Sequence, residues 1–157
     1  MLRISKITDY AIVILSDLYA TAPDDFHSTR AVSQRTLLPQ TTVAKVMKLL
    51  QKSELVEGHR GLCGGYHLKD HPEEINLLQV IEAIEGPVAL TTCSIPESIN
   101  CDNHVTCRVG SHWPIINSTL NDLLRKIRLT ELMAGDNMQG ALNAPAPDSS
   151  LPGINHV

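Results

Sequence analysis

Apolar residues recur at helical spacing through the first fifty positions. Ala11, Ile12, Leu15, Leu18 and Tyr19 share one stripe, which predicts an amphipathic first helix capped by Ser5 or Thr8. The stretch TAPDDFHS (21–28) predicts a loop by its Pro and Asp content. A short second helix over 29–35 follows, with Ser28 placed to cap it. TLLPQTT then predicts a tight turn into a third helix, with Pro39 in its first turn. Val43, Val46, Met47, Leu49 and Leu50 line that helix to about residue 53. Over 55–68 the period changes, and two short extended runs flank Gly61, Gly64 and Gly65, as in a hairpin. Asn76 and Gln79 form a capping-box pattern before Leu77, Leu78, Val80, Ile81 and Ile84, and Gly86-Pro87 ends that fourth helix. Ile116, Leu120, Leu123, Leu124 and Ile127 then repeat along one long helix over 113–133. From 134 to 157 little remains to bury, which predicts a disordered tail.

Helix, helix, tight turn, helix and two-stranded wing is the order of a winged helix-turn-helix. The expected fold class is therefore mainly α with a small β-hairpin wing, followed by a long dimerisation helix. Residues 1–88 form the DNA-binding domain, 89–112 a cysteine-rich loop, 113–133 the dimerisation helix and 134–157 the tail. The apolar stripe of the long helix exceeds what a small winged domain covers, so a homodimer through 113–132 is expected.

Composition sharpens this in three ways. With 43% hydrophobic but only 3% aromatic residues among 157, the core must be aliphatic. No run approaches the roughly 18 apolar residues of a membrane span, and the five-residue run AIVIL is short for a signal peptide. A cytoplasmic chain with no membrane partner is expected. The net charge of −4 hides an asymmetry: residues 28–60 carry six basic side chains against two acids, whereas 70–102 carry seven acids and no Lys or Arg. The basic half is the expected surface for double-stranded promoter DNA. Candidate contacts are Ser28, Thr29 and Arg30 at the second helix, Gln40, Thr41, Thr42, Lys45 and Lys48 on the third, and His59, Arg60 and Tyr66 on the wing. Arg60, beside the wing glycines, suits a narrow minor groove. No nucleophile–base pair, phosphate loop or paired-carboxylate site is present, so an enzyme is not expected.

Cys93, Cys101 and Cys107 are separated by seven and five residues. Structural zinc sites use C-x₂₋₄-C knuckles, which these gaps do not supply. Gaps of that length suit a loop around a larger object such as an iron–sulfur cluster. A thiol redox switch, zinc, and no function at all remain open on spacing alone. Three thiolates leave a fourth position for His104, His112 or a carboxylate.

The segments MLRISKITDYAI, HRGLCGGYHL, IEAIEGPVALTTC and WPIINSTLNDLLRKIRLTEL, with the Cys-x₇-Cys-x₅-Cys loop, resemble the Rrf-type family of winged-helix regulators over residues 1–133. The family includes IscR-like and NsrR-like branches, and the likeness is greatest to the regulators of SUF-type iron–sulfur assembly. The resemblance implies a homodimer that binds promoter DNA, carries one cluster per subunit ([2Fe–2S] rather than [4Fe–4S]) and controls cluster-assembly genes. It implies Cys93, Cys101 and Cys107 as ligands and Arg60 as the wing arginine. Gly110 stands where IscR-like members have a histidine ligand, with the nearest histidine at His112. In NsrR-like members a first-helix aspartate reaches the partner's cluster, and Asp9 matches it. The fourth-ligand order is thus Asp9 from the partner subunit, His112, then His104. Cys63 matches no ligand. Two alternatives are a thiol-redox or nitric-oxide responsive regulator of the same fold, and a metal-binding winged-helix protein that binds protein rather than DNA.

Overall fold

Three N-terminal helices form where the apolar spacing predicts them: α1 (Lys6–Thr21), α2 (Thr29–Thr36) and α3 (Gln40–Lys52). They are seen in a computed structural model that describes residues 3–21, 25–61, 64–69, 71, 73–94 and 107–133. The predicted tail (134–157), Cys63, Cys101 and His104 lie outside the described residues. Local chemistry sets each helix start. The Ser5 hydroxyl accepts the Thr8 N–H at 3.3 Å, and the Ser28 hydroxyl accepts that of Ala31 at 3.2 Å. The Pro39 carbonyl accepts the Thr42 and Val43 N–H groups at 2.9 and 3.0 Å as α3 begins.

The wing pairs β1 (Val56–His59) with β2 (Gly65–Leu68) antiparallel, with Val56 opposite Leu68 and His59 opposite Gly65. His27 adds one further rung, exchanging two backbone bonds with Tyr66 at 2.8 and 2.9 Å. α4 (Leu77–Glu85) starts at a complete capping box, Asn76 with Gln79, and stops at Gly86, whose φ is 85°. A single 3₁₀ turn (Thr92–Ser94), α5 (Trp113–Lys126) and α6 (Leu129–Met133) complete the described chain.

The core is aliphatic, as composition requires. Ile14, Leu15 and Leu18 of α1 close on Val32 of α2 and on Val43, Val46, Met47 and Leu50 of α3. Leu68 of the wing and Val80 of α4 complete that cluster. Arg35 ties α2 to α1 through a two-pronged pair with Asp17, at 2.7 and 2.9 Å. One of the six basic residues counted toward DNA is therefore committed to the fold.

The single helix predicted over 113–133 is two helices with a break at Ile127, which is extended (φ −80°, ψ 111°). Here the chain pairs with the segment before α4. Leu77 N–H donates to the Ile127 carbonyl and Leu129 N–H to the Ile75 carbonyl, both at 2.9 Å, around an Asn76–Arg128 bridge. Glu131 then accepts the Arg128 N–H at 2.9 Å, capping α6 from its third position. Leu129 is fully buried in the main core, and Ile127 packs on Leu77 and Ile81. Burial of each such side chain contributes about 1.5–3 kcal/mol, enough to outweigh continuing the helix by three residues. The predicted apolar stripe divides accordingly. Leu124 and Ile127 pack inward, while Ile116 and Leu123 stay exposed. No helix among the described residues is long and apolar enough to cross a membrane.

Glu85, at the end of α4, accepts the Thr8 hydroxyl and the Ser5 N–H, the latter at 2.9 Å, joining the start of α1 to α4. These bonds, Thr8 first, hold its carboxyl below the ordinary value of 4.5. A lowered carboxyl pKa adds stability that is present above the unfolded value and lost as pH falls through the folded one. Glu85→Gln should therefore be less stable than the parent at neutral pH. That deficit should shrink in acid, below about pH 4.5, as read from urea midpoints across pH 7 to 3.

Candidate nucleic-acid interface and cysteine loop

The wing glycines are explained by close approach. A Cβ on Gly65 would lie 2.6 Å from the His27 carbonyl carbon and oxygen, and one on Gly64 would lie 2.4 Å from the His59 carbonyl oxygen. At the tip, Gly61 has φ 137°, a backbone that only glycine adopts readily. These residues let the hairpin fold back onto the His27 backbone just before α2. In doing so they bring the wing beside α3.

Between wing, α2 and α3 lies a concavity of about 540 Å³. Of the residues predicted from sequence, it gathers Ser28, Thr29, Lys48, His59, Arg60 and Tyr66. Gln51, which the sequence pattern did not single out, lines it too. A Cβ on Gly58 would meet the Gln51 amide nitrogen at 2.8 Å, so the absent side chain opens space for that amide. Its signal was present, since Gln51 lies three residues after Lys48 on α3. A second groove along α3 is lined by Thr41, Ala44, Lys45, Lys48, Leu49 and Lys52. Lys48 lines both, so it stands between the two concavities. Arg30 and Gln40 are exposed but line neither concavity. Thr42 is half-buried, with its N–H used in the α3 start. Hydroxyls at the start of α2, an amide and two cations thus face one space, a donor set suited to phosphate oxygens. Phe26 supports the wing's other side, with ring centroids 4.6 Å from His67 and 5.5 Å from His59.

The described ends of the cysteine loop both lie at α5. The 3₁₀ turn that contains Cys93 packs against α5. Cys107 is half-buried and precedes α5 by a short turn in which His112 N–H donates to the Val109 carbonyl at 3.1 Å. Gly110 approaches the Cys107 sulfur: a Cβ there would sit 3.5 Å from Sγ. His112 is exposed at the N-cap of α5, and its side chain makes no capping bond. Asp9 is exposed on α1, one helical turn from exposed Val13. Among the described residues no three His, Cys, Asp or Glu side chains gather at one point, and Cys101 and His104 lie outside them.

Asn117 positions this loop, a role that its place in the sequence does not signal. Its side chain is buried at 6% exposure; its oxygen accepts the Leu90 N–H at 2.9 Å and its amide donates to the Val88 carbonyl at 3.0 Å. An asparagine inside a helix is usually a weak point, but here it fixes the linker that leads to Cys93. Asn117→Ala should cost about 1–3 kcal/mol, because two backbone groups lose their partner. Chemical unfolding measures that loss. Hydrogen exchange at Leu90 should rise with it.

A family model described as Rrf2, iron-dependent transcriptional regulator, matches residues 4–135. The HTH-type transcriptional regulator IscR of Photobacterium profundum is 27% identical over 138 residues, covering 88% of this chain and 79% of that protein. The HTH-type transcriptional regulator NsrR of Halalkalibacterium halodurans is 26% identical over 144 residues, covering 90% and 97%. The solved structure of CymR, the global cysteine regulator of B. subtilis, matches with a TM-score of 0.62 at 22% identity, covering 85% of this chain and 98% of that one. That structural likeness shows the fold, a helical core with a two-stranded wing. These relatives are regulators and not enzymes, and the chain belongs to the Rrf2 family of transcriptional regulators.

Proposed function

We propose that the protein is a homodimeric promoter-binding regulator whose DNA affinity follows the state of an iron–sulfur cluster held by Cys93, Cys101 and Cys107. Its targets would be genes of SUF-type cluster assembly. The observation that carries this reading is that the cysteine loop is anchored at both ends on α5, with Asn117 gripping the linker before Cys93. A change in the loop is thereby a change in the placement of α5. Thiolates suit such a cluster, and Gly110 leaves the Cys107 sulfur clear on that side, so the described part of the donor set fits. The bound group would supply a redox-sensitive link between the two ends of the loop. Asp9, exposed on α1, is the fourth ligand offered to the partner subunit, ahead of His112 and His104.

α5 supports the dimer. Ile115, Ile116 and Leu123 are 65%, 47% and 40% exposed, although Leu124 on the same helix packs inward. Beside them an apolar concavity of about 260 Å³ is bounded by Ile4, Val88, Leu120 and Leu124. Two wings related by a two-fold axis would then address a pseudo-palindromic site.

Two measurements on the full chain test the reading. Anaerobically purified protein should be brown, with visible absorption; colourless protein holding one zinc overturns the cluster. In promoter titrations Lys48→Ala and Arg60→Ala should each weaken binding. Each should also reduce the slope of log affinity against log salt, by about 0.9 for every phosphate no longer neutralised. Unchanged affinity and slope in both would remove the concavity from the interface.

A further inference from the structure

Leu37 is the most exposed large apolar side chain among the described residues, at 88%. It also occupies left-handed backbone, with φ 59° and ψ 18°, at the C-terminal cap of α2. Glycine or asparagine takes that conformation more readily, and a branched apolar side chain gains nothing from it. The core does not ask for leucine here either, because the neighbouring Leu38 is the residue that packs against it. Nor is the corner loose. The Ser33 hydroxyl donates to the Leu38 carbonyl at 2.6 Å, Pro39 follows, and Arg35 is held by Asp17. The side chain is therefore presented to solvent from a fixed point.

That point lies just before α3, whose residues line the second groove. Gln40, the first residue of α3, follows Leu37 by three positions, so the Leu37 Cα lies within about 11 Å of the helix start. From there the surface continues through Thr41, Ala44, Lys45 and Lys48. The other exposed apolar side chains of the described chain with a proposed partner, Ile115, Ile116 and Leu123, belong to α5. In a DNA major groove the one apolar group on a base edge is the thymine C5-methyl. We infer that Leu37 is a specificity residue that packs on a thymine methyl of the operator, extending the polar contacts of α3 by one apolar contact. This rests on the DNA-binding reading above.

The test uses the full chain and the duplex it selects from a random pool. That duplex is resynthesised with thymines replaced one at a time by deoxyuridine, which removes only the methyl. Wild-type protein should lose affinity roughly fourfold at one position per half-site, the effect of one buried methyl. Leu37→Asn, which keeps the left-handed turn, should bind the thymine and deoxyuridine duplexes equally at that position, with a melting temperature no lower than the parent's. The assignment is overturned if Leu37→Asn retains the wild-type discrimination at every position, or if wild type has no methyl-sensitive position. A wild-type chain that selects no duplex at all sinks the DNA reading and this inference together. Selection of a duplex without Leu37-dependent methyl sensitivity sinks the inference alone.

Discussion

Cys107→Ala should abolish the visible absorption of the anaerobically purified protein and leave its fold intact. The two effects separate because Cys107 is half-buried in a turn before α5 and belongs to neither apolar cluster. Removing the thiol takes away one of three proposed ligands, and the gaps of seven and five residues offer no nearby cysteine to replace it. Far-ultraviolet circular dichroism should be unchanged. Promoter affinity should move to the cluster-free value, a change on the order of 5–150-fold for a coupling of about 1–3 kcal/mol between loop and wing. Retention of absorption in this variant would remove Cys107 from the ligand set. In the same assay, an Asp9→Ala protein with an unaltered spectrum shifts the fourth ligand to a histidine.

Gly65→Ala should have the larger effect on stability. The added Cβ meets the His27 backbone at 2.6 Å, and its three nearest atoms are all backbone, so no flexible side chain can yield. To make room, the wing must part from His27 and break the two bonds at 2.8 and 2.9 Å that join it to Tyr66. The cost is on the order of 2–4 kcal/mol, from overpacking plus the broken pair. Tyr66 and Arg60 line the concavity with Lys48, so promoter affinity should fall with the stability. Urea unfolding and promoter titration of one preparation measure both. A stable Gly65→Ala protein with unchanged affinity would mean that the wing's docking on His27 does not shape the interface.

The coupling proposed between loop and wing has a chain of bonded elements available to it in the fold. Asn117 joins α5 to the linker after α4, and Glu85 at the end of α4 holds Ser5 and Thr8 of α1. α1 in turn holds α2 through Asp17 and Arg35, and Ser28 and Thr29 of α2 line the concavity. Each link is a hydrogen bond or ion pair with one geometry. A displacement of α5 thus has a path to the wing without passing through the apolar core.

The N-terminal architecture was legible in the residues because its signals are local. Ser28 caps α2, Asn76 and Gln79 box α4, and the glycines at 61, 64 and 65 turn the hairpin. Each depends on interactions within a few positions, which propensity and capping chemistry describe. Six predicted interface residues share one concavity for a related reason: α2, α3 and the wing are consecutive in the chain, so their joint placement needs only short connections.

The break at Ile127 was not legible. No glycine or proline marks it, and the apolar repeat runs through it without interruption. It follows from pairing with Ile75 and Leu77, some fifty residues earlier in the chain, where two backbone bonds and the burial of Leu129 outweigh helical continuity. Arg35 and Asn117 illustrate the same limit. A basic residue in a basic stretch adds to the charge expected to face DNA, and an asparagine in a helix reads as a surface residue, until Asp17 and the 88–90 backbone are known to lie against them.

The sequence alone, then, determined the N-terminal helices, their caps and the wing, because spacing and residue type act over a few positions. That Arg35 is held by Asp17, where α5 stops and what grips the cysteine linker were decided only by tertiary structure. Those outcomes depend on partners distant in the chain, whose interaction free energies become available only once the core has closed.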